Sequence, residues 1–131
     1  MKRRIILLIS TFAFMLISAN LSFYSMMYAQ EGRLREVSII AGFVALASFL
    51  MGLATRSLRE GIIALLVAYF AGFMLASAIV RNIAIETLGS IVGESMSWRA
   101  IRESFLFIVA ILPVHIAINI LGNIVGEKLE A

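Results

Sequence analysis

The sequence predicts an all-α, polytopic membrane protein: about four transmembrane helices, plus a short amphipathic interfacial helix between the third and the fourth. Three observations predict it. Of 131 residues, 62% are hydrophobic and 15% charged, against about 45–50% and about 25% in soluble domains. The mean hydropathy is +1.02. The charged residues gather at the edges of four long apolar runs. A chain this short leaves much of its surface in solvent, so an apolar surplus of this size points to lipid. One domain over 1–131 is expected.

The spans fall near 5–29, 37–54, 61–80 and 98–126. Crossing the hydrocarbon takes roughly 20 apolar residues, with a range of about 17–25. Lipid offers backbone amides no partner outside the chain, so each run should be an α-helix. The first run follows "KRR" at Lys2 to Arg4; the second lies between Glu36 and Arg56, the third between Glu60 and Arg81. "QEGRLRE" and "TRSLRE" are short, charged connections, so helices one, two and three should be antiparallel neighbours. The longer stretch Arg81 to Glu103 repeats Ile85, Leu88, Val92 and Met96 at helical spacing, with Glu86, Ser90 and Glu94 on another face. That pattern predicts the interfacial helix. Ser97 stands where an N-cap would start the last helix at Trp98.

Lys and Arg set the orientation. With the N-terminus inside, Lys2, Arg3, Arg4, Arg56, Arg59 and Lys128 face the cytoplasm, and Arg33, Arg35, Arg81, Arg99 and Arg102 face outward. The N-terminal cluster favours both termini in the cytoplasm, in a cell membrane. "MKRR" and "MYA" suggest a secretory leader, but the apolar run is far longer than the about 7–15 residues of such a leader. An uncleaved helix is expected. "AGFVALAS" at Ala41 to Ser48 and "AGFMLASA" at Ala71 to Ala78 are expected to match by chance or shared packing demand rather than by duplication.

The last run carries the polar residues that demand a reading. His115, Asn119, Gly122, Asn123 and Gly126 share one arc of the helix, and Ser104 continues it. They could line a pathway, with His115 accepting a proton. They could equally form a packing seam, where Gly lets a backbone approach and Asn or His bonds across the contact. Intramembrane pathways recruit ionisable residues, and the apolar stretches 5–29, 37–54, 61–80 and 104–126 contain no Asp, Glu, Lys or Arg. The seam is the preferred reading. Gly61, Ala64, Ala68, Gly72 and Ala76 form a small-residue stripe on the third run; Ala41 with Ala45, and Ser48 with Gly52, add to it on the second. Tyr69 lies mid-run and needs a partner for its hydroxyl. Ser18, Ser22, Ser25 and Asn20 offer donors on the first run. Pro113 removes one helical hydrogen bond, to the Val109 carbonyl, and predicts a structural kink.

Reactive chemistry has little to work with. There is no Cys, no Asp and one His, so a metal centre lacks ligands. The nucleophile-elbow, P-loop, dinucleotide and zinc-protease patterns are all missing. No cofactor and no enzymatic activity are expected. A net charge of +3 and a pI near 9.8 fit basic loops at anionic headgroups rather than a nucleic-acid surface. Glu86, Glu94 and Glu103 near Arg81, Arg99 and Arg102 read as a mutually neutralised surface.

Two partial resemblances exist. Residues 1–81, with two hydrophobic runs joined by "MGLATRSLREG" (Met51 to Gly61), faintly resemble conjugative pilins of type IV secretion systems, which would imply a processed filament subunit bound to lipid. Residues 82–131 depart from that pattern. "FIVAILPVHIAINILGNIVGEKL" loosely resembles the final helix of vitamin-transporter substrate-binding components, which have more helices. Neither carries residues over. The expected function is a structural or assembly role, as a self-assembling subunit or a small subunit of a membrane complex. The alternatives are a small permease or channel using the polar face of the last helix, and a processed conjugative-type pilin forming a filament with lipid. Membrane lipids and either a second copy or other membrane subunits are the expected partners.

Overall fold

The computed structural model describes residues 2–130. Four α-helices follow in order: α1 Lys2–Gln30, α2 Leu34–Ala54, α3 Leu58–Leu88 and α4 Ser90–Glu130, with no strand among the described residues. At about 1.5 Å per residue, the 21 residues of α2 reach about 32 Å and the 41 of α4 about 62 Å. All four are long and apolar enough to cross a membrane.

Local chemistry sets the breaks. Gly32 turns α1 into α2 at φ 75°, and the Arg33 amide closes the turn on the Tyr28 carbonyl. Ser57 caps α3 by accepting from the Glu60 amide at 3.2 Å, while Glu60 reaches back to the Arg56 amide. Gly89, at φ 85° and ψ 168°, ends α3. Side-chain-bearing residues essentially never adopt that backbone region.

The break at Gly89 corrects one expectation. Among the described residues there is no separate helix between the third and the fourth: residues 81–88 prolong α3, and α4 already begins at Ser90. The helical spacing was read correctly, but it belongs to two arms of one hairpin. Gly93 lets those arms meet, its α-carbon lying against the Ala84 carbonyl with no room for a methyl group. Ser97 is accordingly inside α4, bonding back to the Glu94 carbonyl at 2.8 Å, and caps nothing. Pro113 is likewise accommodated within α4, which continues past it.

Contacts fix the directions. Met15 lies by Ser48, and Thr11 by Met51, so α1 and α2 are antiparallel. Arg4 meets Glu60 and Phe23 meets Phe73, so α1 and α3 run together. Phe73 meets Phe105, and Gly61 meets Asn119, so α3 and α4 oppose. Consecutive helices therefore alternate in direction, placing Lys2 and Glu130 at the same end. Round the bundle the order is α1, α2, α4, α3. Despite a connection of only Thr55, Arg56 and Ser57, α2 and α3 are diagonal rather than adjacent, because α4 wedges between them. The reason is size: Gly52 and Gly61, just either side of that turn, both face Asn119.

The core between these helices holds Met15, Ala19, Val44, Ala47, Met51, Leu65, Ala68, Tyr69 and Ile108. No more than 33% of any apolar window is buried in the bundle. Most of the apolar surface points outward.

Candidate functional site

Of the α4 stripe, His115, Asn119, Gly122 and Asn123 are buried and Gly126 partly so, and the stripe divides into two parts. The lower part is a seam against α2. The last carbonyls of any α-helix lack intrahelical donors, and α4 supplies one here. Asn123 Nδ2 donates to the Thr55 carbonyl at 3.1 Å, and at 3.4 Å to both the Gly52 carbonyl and Thr55 Oγ1. Thr55 Oγ1 in turn donates to the Gly52 carbonyl at 3.0 Å. One turn earlier, Asn119 Nδ2 donates to the Ser48 carbonyl at 3.2 Å. Asn119 and Asn123 are 0% and 1% exposed.

Glycine makes these bonds possible. A Cβ on Gly52 would strike the Asn119 carbonyl, and one on Gly122 the Phe49 carbonyl. One on Gly126 would lie 3.0 Å from the Leu53 carbonyl. The backbones of α2 and α4 are therefore in contact along this stretch. On α3, Gly61 makes room for the Asn119 and Thr55 side chains, while Gly72 receives α1 at the Leu16 carbonyl. Ala68 and Ala76 are fully buried; Ala64 packs against the core from its edge. The small-residue stripe of α3 is thus spent on contacts within the chain, on α1 at one end and α4 at the other.

The upper part has different surroundings. His115 is 6% exposed, and its Nδ1 is buried without a hydrogen-bond partner. Its ring contacts Tyr69, the centroids 5.5 Å apart. Tyr69 is fully buried, and its hydroxyl meets Ser22 Oγ at 3.4 Å, a long and weak contact. Here α2 and α4 part, leaving a cavity of about 340 Å³ that opens at the side of the bundle, where Val114 is 58% exposed. Ser22 and Ser25 of α1 and His115 of α4 supply its polar wall; Ala41 and Ala45 of α2 and Ile111 of α4 are among its apolar lining. On α1, Ser18 bonds its own helix at the Phe14 carbonyl, whereas Ser104 of α4 donates to the Phe23 carbonyl at 3.2 Å.

Sequence reasoning grouped all five α4 residues together and missed this division. It also missed Thr55, whose role as acceptor comes from its place at the end of α2. Ala41 and Ala45 read as a packing pair but line the hollow. Asn at i and i+4 opposite a helix terminus was the available signal.

At the far end, Arg81 pairs with Glu94 and Arg99 with Glu103, both at 3.2 Å and exposed. Among the described residues no cluster of three or more His or Glu could hold a metal ion. No family model matches the chain, and neither a curated protein nor a solved structure matches it.

Proposed function

We propose that the protein is a non-enzymatic, multi-pass membrane protein that acts as an assembly subunit, either with copies of itself or within a larger membrane complex. Lipid occupies the outward apolar surface, and both termini face the cytoplasm. The four charge-free apolar stretches, the last of them 104–126, and the low burial of the helices' apolar windows support the membrane placement. The backbone contact at Gly52 and Gly122 favours a packing role for the α4 stripe over conduction.

The assembly role rests on one observation: the α3–α4 hairpin outruns the α1–α2 turn. Gln30, at the end of α1, meets Glu103, yet α4 begins 13 residues before Glu103. The arms beyond that level carry exposed Ile83, Leu88, Ile91, Val92, Met96 and Trp98, with Ile91 at 85%. Apolar side chains clustered beyond a lipid-covered span are the mark of an interaction surface.

The test is a photo-crosslinking residue at Ile91 in native membranes. A protein adduct of fixed mass, lost on Met96→Glu, supports the reading; its mass distinguishes self-association from a second subunit. Adducts to lipid alone refute it. Single cysteines at Ser57 and Gly32, in a chain with no native Cys, report the topology: labelling Gly32→Cys from outside and Ser57→Cys only after permeabilisation is the expected pattern.

A further inference from the structure

The geometry points to a binding site for a lipid-phase molecule: an uncharged hydrocarbon chain of roughly ten carbons, bearing one hydroxyl, held in the α1–α2–α4 cavity with its head on His115. Three features converge there. The cavity of about 340 Å³ sits at the lower end of ligand-pocket sizes. Taking about 30 Å³ per group, it holds roughly ten methylene-sized groups. Its lining is almost wholly apolar, from Val37, Ile40 and Ala45 on α2 to Phe107, Ile111 and Ile118 on α4.

The polar end is specific. His115 lines the cavity; its Nδ1 is closed off and without a partner, so the ring meets the cavity through its other edge. Ser22 and Ser25 lie on the same wall, from a different helix. A hydroxyl can both donate and accept, so it suits either tautomer of a neutral imidazole. A carboxylate or phosphate would bring its charge into a place where the nearest Lys or Arg in sequence are 13 residues away along α4, at Arg102 and Lys128. No charged side chain lines the cavity, and the charged residues next to its lining, Arg35 and Glu36 before Val37, stand at the end away from His115. The occupant is therefore neutral.

The seam does not share this role. Asn119 and Asn123 donate to α2 carbonyls and neither lines the cavity, although their Oδ1 atoms, like His115 Nδ1, are buried without a partner.

The chain has one His, which permits a direct test. Protein labelled with ¹⁵N-histidine and placed in lipid nanodiscs is titrated with 1-decanol and, separately, with decane. Decanol should shift the ring-nitrogen lines saturably, at about one molecule per chain. Decane should leave the lines in place and compete about two- to tenfold more weakly, the loss expected for one hydrogen bond. Ala45→Phe, which fills the cavity, should abolish the decanol shift. A decanol response that is absent, that rises without saturation, or that decane reproduces overturns the proposal on the native chain alone, whatever the variant does. Because the site lies apart from the projecting hairpin, failure here leaves the assembly reading standing, and the converse also holds.

Discussion

Replacing Gly52 with Leu tests the seam most directly. A Cβ at this position overlaps the Asn119 carbonyl and sits 3.0 Å from the Asn123 amide nitrogen. All these are backbone atoms, so no side chain can swing aside. The α2 helix must retreat from α4, and the bonds from Asn119 and Asn123 to the α2 carbonyls stretch or break. Interhelical bonds in membranes average about 0.6 kcal/mol each, and forced overpacking typically costs about 1–3 kcal/mol. Together they amount to about 2–4 kcal/mol. The assay uses Ser18→Cys as a reporter: Ser18 is 1% exposed, bonds only within α1, and no native thiol competes. Where opening is fast relative to labelling, the thiol's reaction rate follows the open population. Gly52→Leu should raise that rate about 30- to 1,000-fold, at about 1.4 kcal/mol per tenfold. Gly42→Leu is the control, because nothing lies within 4 Å of its would-be Cβ; it should leave the rate unchanged or slow it. Labelling of Gly52→Leu within about twofold of the parent would refute the seam.

Three further outcomes follow from the same contacts. Asn123→Ala removes the donor to the end of α2 and should cost about 1–2 kcal/mol by the thiol assay, the bond plus a small cavity. Combined with Asn119→Ala the loss should fall short of additive, since both hold one contact. Tyr69→Phe should change labelling by less than about threefold: its hydroxyl contact at 3.4 Å is too long to contribute more than about 0.6 kcal/mol. Gly89→Ala forces a methyl-bearing residue into a backbone region that costs about 1–3 kcal/mol. Amide exchange should accelerate over residues 82–98 and stay unchanged in α1 and α2.

Which parts of this were legible in the sequence follows from the range of each interaction. Helix number and approximate bounds come from the apolar runs, a local property, and α1 and α2 end close to where the charges predict. The α4 stripe and the α3 small-residue stripe were legible too, because helical periodicity alone decides which residues share a face. Partners were not. That Gly52 and Gly61 both face Asn119 depends on α4 entering between α2 and α3, and a short connection between those two helices suggested the opposite. Chain proximity favours adjacency, but the backbone approach that glycine allows was worth more. The segment 81–103 failed for another reason. Its pattern is helical throughout, and a single glycine decides whether it forms one helix or the two arms of a hairpin. Gly89 and Gly93 were visible as weak points in a helix; that the first breaks it and the second packs against Ala84 is set by tertiary contact.

The seam and the cavity are consequences of one another. Two parallel helices drawn into backbone contact at Gly52, Gly122 and Gly126 cannot also close where α4 carries Phe107, Ile111 and Ile118, so a hollow remains beside Ala41 and Ala45. His115 stands at the junction, one turn from Asn119. Any change that loosens the seam should therefore reach the His115 ring, although Asn123 is about 12 Å along the helix from it. Asn123→Ala should shift the ¹⁵N lines of His115 and weaken decanol binding, whereas Gly89→Ala, about 26 residues from His115 in sequence and at the far tip of the hairpin, should leave both in place. If the His115 lines respond to Gly89→Ala but not to Asn123→Ala, the site is governed by the hairpin, and the mechanical link between seam and cavity is wrong.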